Sequence, residues 1–350
     1  MSLPFSSSAD NENTGLTARL TALDSWIDKQ AANSKLSGAF LYARDGQVLY
    51  EKAVGLHHPD KPGANGVASS FNLASVSKHF TATAIMLLAH RGALEYDQPV
   101  KRYLPLFPYE NITVRHLLNH TSGLSDYMEL TDRHWTGDLF TNQALTPLYH
   151  RHRPALAFSP GSRYEYSNTG YVLLAAIVEE ITELSYEQFM QENVFTPLAL
   201  HNTAVVNLLS DPDSLQSRVY GQFEGKLYDL NELDGVTGDG GVYSSVRDLL
   251  AWHTALLNGS LLPASMLKEA TKPARLSNGQ LSYYGFGWEL FEDKPHAMQH
   301  SGSWVGFNTY MIRNTATNAL LVLLTNDASG IEIDTLIPRF FDAVGPDGGL

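Results

Sequence analysis

Strand-like patterns sit near the two ends of this chain, and a long stretch of mostly helical signals lies between them. A sheet built from both sets joins segments far apart in sequence, and no internal repeat is found. Residues 37–44 and 47–54 read as two strands flanking Asp45-Gly46, a dipeptide suited to a type I′ hairpin turn. Strand patterns resume at residues 284–291, 298–301, 307–312 and 319–325. Before the first pair, Leu16, Leu20, Leu23 and Ile27 recur at helical spacing, and residues 331–344 close the chain with a second amphipathic helix. In the middle, residues 114–118, 170–183 and 186–194 predict helices joined by long loops. The expected fold is α/β of the α+β type: a mainly antiparallel sheet flanked by N- and C-terminal helices, with an all-helical domain inserted. Its expected divisions are a flexible arm over 1–14, a sheet domain from 15–91 and 236–350, and a helical insert over 92–235. A cleft where the two meet is the natural place for a site.

Composition narrows the chemistry. With 350 residues and 43% hydrophobic content the chain can bury a large core. A net charge of -13 without a basic stripe argues against a nucleic acid partner. There is no Cys, so disulfides, thiolate nucleophiles and Cys-based metal sites are out, and a covalent nucleophile must be an oxygen or an amine. No run approaches the roughly 18 apolar residues of a membrane span, and the opening residues lack a basic-then-apolar export pattern. The chain reads as soluble, cytoplasmic, or periplasmic or secreted if an export signal has been removed. The oligomeric state is not written in the sequence.

Three short patterns carry chemistry. Ser75-Val-Ser-Lys78 opens an apolar stretch reaching His90 and puts an amine one helical turn from a hydroxyl on the same face. A buried lysine with a lowered pKa can act as base or proton relay. Tyr166-Ser-Asn168 stands in a loop before an apolar helix, where a phenol and an amide can reach a cleft together. His300-Ser301-Gly302 lies on an expected strand, followed by Ser303. Its glycine lets a substrate backbone come close, and the next N–H can help form an oxyanion hole.

In this order, Ser-x-x-Lys, Tyr-x-Asn and [Lys/His]-[Ser/Thr]-Gly resemble the three motifs of the serine β-lactamase and penicillin-binding protein superfamily. Their wide separations suit its class C branch. Further family-like phrases occupy residues 96–105, 117–124 and 240–245, so the resemblance covers about 15 to 345. It implies that Ser75 forms an acyl-enzyme, that Lys78 and Tyr166 share its proton, and that Asn168 holds the substrate amide. It also implies that the backbone N–H groups of Ser75 and Ser303 face the oxyanion. His300 stands where many relatives carry Lys and is expected to be charged only in part near neutral pH. On that ground the sequence resembles the D-alanyl-D-alanine peptidase and esterase members more than efficient β-lactamases. The expected partner is a small-molecule or peptide substrate, with a β-lactamase or a slowly acylating penicillin-binding sensor or scaffold as alternatives.

Each pattern has a plainer counterpart. Ser265-Met-Leu-Lys268 repeats the first spacing on a polar helix after Pro263, and Tyr109-Glu-Asn111 reads as a turn. His116 and His120 lack the Glu that a zincin pattern places after its first His, and His57-His58 has no third ligand, so neither metal nor cofactor is expected. The glycine-rich run 235–241 lacks a phosphate-loop ending and reads as a tight turn near the cleft floor. Tyr127, Trp135, Phe158, Trp304 and Phe307 are candidate cleft liners, each equally suited to a core.

Overall fold

The computed structural model describes residues 8–350. Six strands form the main sheet: β1 (Gly38–Arg44), β2 (Gln47–Val54), β3 (Glu289–Leu290), β4 (Ala297–Trp304), β5 (Phe307–Asn314) and β6 (Ala319–Thr325). Their spatial order is β3-β4-β5-β6-β1-β2, and every neighbouring pair is antiparallel. Pairing of β6 with β1, from Gly38 opposite Thr325 to Arg44 opposite Ala319, joins the two ends of the chain. At the hairpin, Asp45 and Gly46 take φ of 51° and 75°, the two positive values a type I′ turn demands.

Both faces of β6 are covered, so all of Ala319–Thr325 is buried and the strand reads as a continuous apolar run. On one face Phe40, Tyr42, Leu321 and Leu323 pack with Leu20, Leu23 and Ile27 of α1 (Ser8–Ala32) and with Leu336 and Phe340 of the C-terminal helix Ile333–Val344. On the other, Leu41, Leu320, Val322 and Leu324 join α2 (Lys78–His90) and Leu249, Trp252 and Leu256 of helix Val246–Asn258. Each such side chain contributes about 1.5–3 kcal/mol of burial. Within α2 every residue from Lys78 to Leu88 is buried, the condition of a helix apolar on all sides. The helix Asn168–Thr182 packs against α2 and is likewise buried from Thr169 to Val178.

Three segments differ from the sequence expectation. Helix α1 starts at Ser8, so residues 8–14 of the expected arm are helical, while the rest of that arm lies outside the described residues. Polar residues extend a docked helix without leaving an apolar period to read. The expected strand 284–291 joins the main sheet only at Glu289–Leu290, because Gly287 takes a φ of 77° and folds Tyr284 back to bridge Glu289. The apolar stretch from Ser75 opens as a 3-10 turn, Ala74–Ser77, before α2 begins at Lys78. No helix among the described residues is long and apolar enough to cross a membrane.

Candidate active site

A small second sheet delivers Ser75. Phe71–Asn72 pairs with Val242–Ser244, and the Leu73 N–H donates to the Val242 carbonyl at 2.8 Å. Ala74 then adopts a φ of 47°, a left-handed conformation that costs a residue with a Cβ. It is held there by its N–H, which donates to Asn72 Oδ1 at 2.8 Å. From the main sheet, β4 presses Gly302 against this turn. A side-chain carbon at Gly302 would lie 2.5 Å from the Leu73 oxygen and 2.9 Å from the Ser75 backbone nitrogen, so only glycine fits.

Lys78 is fully buried, and its Nζ has three neighbours: Ser75 Oγ at 3.0 Å, Asn168 Oδ1 at 2.9 Å and the Asp239 carbonyl oxygen at 2.7 Å. The two carbonyl-type oxygens can only accept. A neutral amine has two N–H groups and one lone pair, so with both N–H groups committed the lone pair faces Ser75. Burial pushes the Lys78 ammonium down to about 8, against the opposing pull of Asp239 and Asp126. Asn168 is fixed from its other side, since its Nδ2 donates to Asp126 Oδ2 at 3.1 Å.

Tyr166 lies over this lysine, with Nζ 5.0 Å from the ring centre. Tyr166 is partly exposed at the cleft; desolvation of its phenol raises the pKa more than a hydrogen bond with Ser75 lowers it, so the free protein carries the protonated phenol. The ring rests on His120, 4.3 Å away, whose Nδ1 accepts the Ser167 N–H at 3.2 Å. Burial, then repulsion from Lys78, keeps His120 neutral.

His300 departs from the sequence expectation. It is 2% exposed, its Nδ1 lies 2.6 Å from the Ser301 carbonyl, and its Nε2 lies 2.9 Å from the Tyr284 hydroxyl. A carbonyl only accepts, so Nδ1 carries the proton and Nε2 accepts from Tyr284, the pattern of a neutral imidazole. Burial and then Lys78 hold its pKa at about 3. The partial charge expected near neutral pH is therefore absent.

A family model described as Beta-lactamase matches residues 23–340. The chain belongs to the beta-lactamase family. Within it, a penicillin-binding protein of Bacillus subtilis (strain 168) is 35% identical over 319 residues, spanning 87% of this chain and 71% of that protein. Among solved structures, the octameric penicillin-binding protein homologue from Pyrococcus abyssi is 25% identical with a TM-score of 0.76, over 94% of this chain and 79% of that one. The D-amino acid amidase from Ochrobactrum anthropi SV3 is 26% identical with a TM-score of 0.74, over 94% of this chain and 98% of that one. These likenesses place the chain among the serine hydrolases of the beta-lactamase family.

Beside Ser75 lies a pocket of about 180 Å³ lined by Asn168, Ser303, Tyr127, Asp239 and Trp304, among others. Lys78 sits beneath it, Gly302 braces the Ser75 turn, and Ser301 is exposed on β4 outside the lining. Of the other candidate liners, Trp135 packs edge-on to Phe140, Phe158 lies under Arg163, and Phe307 belongs to the core. Sequence reasoning missed Asp126, Asp239, Tyr284 and the role of His120. Asp126 caps helix Tyr127–His134, accepting the Met128 N–H at 3.0 Å, and an aspartate before an amphipathic helix was a readable signal. Asp239 stands in the glycine run 235–241, whose turn brings its backbone to Lys78.

Proposed function

We propose that this member of the beta-lactamase family hydrolyses an amide or ester through an acyl-enzyme on Ser75. The observation that carries this reading is the set of three contacts on Lys78 Nζ, which leaves a lone pair for the Ser75 proton once the amine is neutral. Ser75 Oγ attacks the carbonyl carbon as its proton passes to Lys78. The backbone N–H groups of Ser75 and Ser303 meet the developing oxyanion. The second N–H of Asn168 Nδ2 holds the substrate amide carbonyl. Tyr166, a protonated phenol, gives its proton to the leaving nitrogen or oxygen and recovers one from the Lys78 ammonium. Water then releases the acyl group by the reverse proton path. The cleft falls between the sheet part (15–91 and 236–350) and the helical insert (92–235).

The pocket favours D-residue amides, D-residue-containing peptides without a free carboxylate beside the cleaved bond, and small esters over carboxylate-bearing β-lactams. No Lys or Arg is among its lining residues, whereas Asp234 and Asp239 are. Burial raises both carboxyls to about 6, so both are mainly ionised at neutral pH. With His300 neutral, nothing on the lining offers a carboxylate its counter-charge. The structural neighbours include a D-amino acid amidase and a D-stereospecific amidohydrolase from Streptomyces, the latter 25% identical with a TM-score of 0.68 over 93% of this chain and 98% of that one.

The test is labelling by a fluorophosphonate, read by intact mass, beside turnover of D-alanyl p-nitroanilide, p-nitrophenyl acetate and nitrocefin. A single adduct that Ser75→Ala loses, with kcat/KM for the amide and ester above that for nitrocefin, is expected. An adduct retained in Ser75→Ala moves the nucleophile elsewhere. Labelling without turnover makes the protein a sensor.

A further inference from the structure

We propose that a second pocket, sharing no lining residue with the one at Ser75, binds an anionic amphiphile, a carboxylate on an apolar tail, with Arg313 as its counter-ion. Arg313 lies on β5 opposite Met298 of β4 and Leu320 of β6. Strand alternation puts it in the row of Phe307, Thr309 and Met311, which faces the core of α2 and helix Val246–Asn258. It is 3% exposed. Among the described residues its side chain has no ion pair and no hydrogen bond, and its Nε is buried without a partner.

Its surroundings do not compensate the charge. The Trp288 ring centre is 5.8 Å from the guanidinium, and Trp288 stacks in turn on His79 at 4.4 Å. His79 and His253 are buried and held neutral, mainly by burial. Arg218, also buried, is treated differently by the same fold, which pairs it with Asp229 and Asp213. An unpaired buried guanidinium is among the least favourable groups a core can hold, and one aimed at an open cavity is explained by an anion that enters it.

The cavity suits such a ligand in size and lining. It measures about 540 Å³, with walls from Met86, Leu256, Leu267 and Trp288. Lys268, Lys272 and His296 add basic groups to its lining, and no Asp or Glu does. Lys272 is paired with Glu269 at 2.8 Å, while Lys268 has no ion pair among the described residues. One planar guanidinium matches one planar carboxylate through two parallel hydrogen bonds, which favours a carboxylate head over a tetrahedral anion. The apolar walls then take the tail.

The test is calorimetric titration of the full chain with sodium decanoate below its micelle concentration, beside decanol, acetate and inorganic phosphate. Saturable decanoate binding is expected at one site, about tenfold or more tighter than any of the three controls. Arg313→Met keeps the apolar volume and should lose that margin over decanol. The Lys268→Ala/Lys272→Ala double variant, altered at exposed positions, should bind decanoate about threefold more weakly and keeps the idea testable if Arg313→Met does not fold. Decanoate binding no tighter than decanol or phosphate, or unchanged in both variants, overturns the proposal.

Discussion

The chain contains the pattern Ser-x-x-Lys twice, at Ser75–Lys78 and at Ser265–Lys268, and the two copies have opposite fates. Ser265 and Lys268 lie exposed on the short helix Ala264–Ala270, where an ammonium keeps its ordinary hydration. Lys78 is sealed beneath the cleft with three oxygen neighbours and a pKa pushed down to about 8. Spacing alone brings an amine near a hydroxyl. What sets the first copy apart is the removal of water and the two acceptors that occupy the other positions of the amine.

Three substitutions sharpen or break this contrast. Lys78→Met removes the proposed base while keeping the buried volume, and kcat/KM for p-nitrophenyl acetate should fall by about a thousandfold or more. A loss of less than tenfold would leave the two copies chemically alike. His300→Lys places a second cation in a buried site already facing Lys78, and urea unfolding should show a loss of about 3 kcal/mol or more. A variant as stable as the parent that gains nitrocefin turnover would restore the charged role expected of this position. Ser265→Ala should change kcat/KM by less than about twofold and stability by less than about 0.5 kcal/mol. A larger effect on turnover would mean that the exposed copy takes part after all.

Much of this was legible in the sequence, for reasons that can be named. The Asp45-Gly46 turn and the unbroken apolar run of β6 are local signals with a single good solution, and both appear as expected. The three motifs pointed to Ser75, Lys78, Tyr166 and Asn168, which the fold brings to one cleft. The state of His300 was not legible, because it depends on Tyr284 sixteen residues away and on burial that no local pattern reports. Asp239 was hidden for a similar reason: it contributes a backbone carbonyl, and any residue supplies one. Arg313 stands in a strand as one basic residue among many, and only the packed core shows that no carboxylate meets it.

If neutral Lys78 takes the Ser75 proton, the rate of acylation must follow the protonation state of this one amine. A folded-state pKa of about 8, below the ordinary lysine value, means that the active, unprotonated form accumulates as pH rises through 8. For p-nitrophenyl acetate, a neutral substrate, kcat/KM corrected for the Ser75→Ala background should climb about tenfold per pH unit from pH 6 to 7 and level off above about 9. His300 and His120 stay neutral throughout that range and should add no inflection, so any bend near 6 belongs to the pocket carboxyls Asp234 and Asp239. A profile flat from pH 6 to 9, or one that saturates by pH 7, would contradict the account and take the role of base away from Lys78.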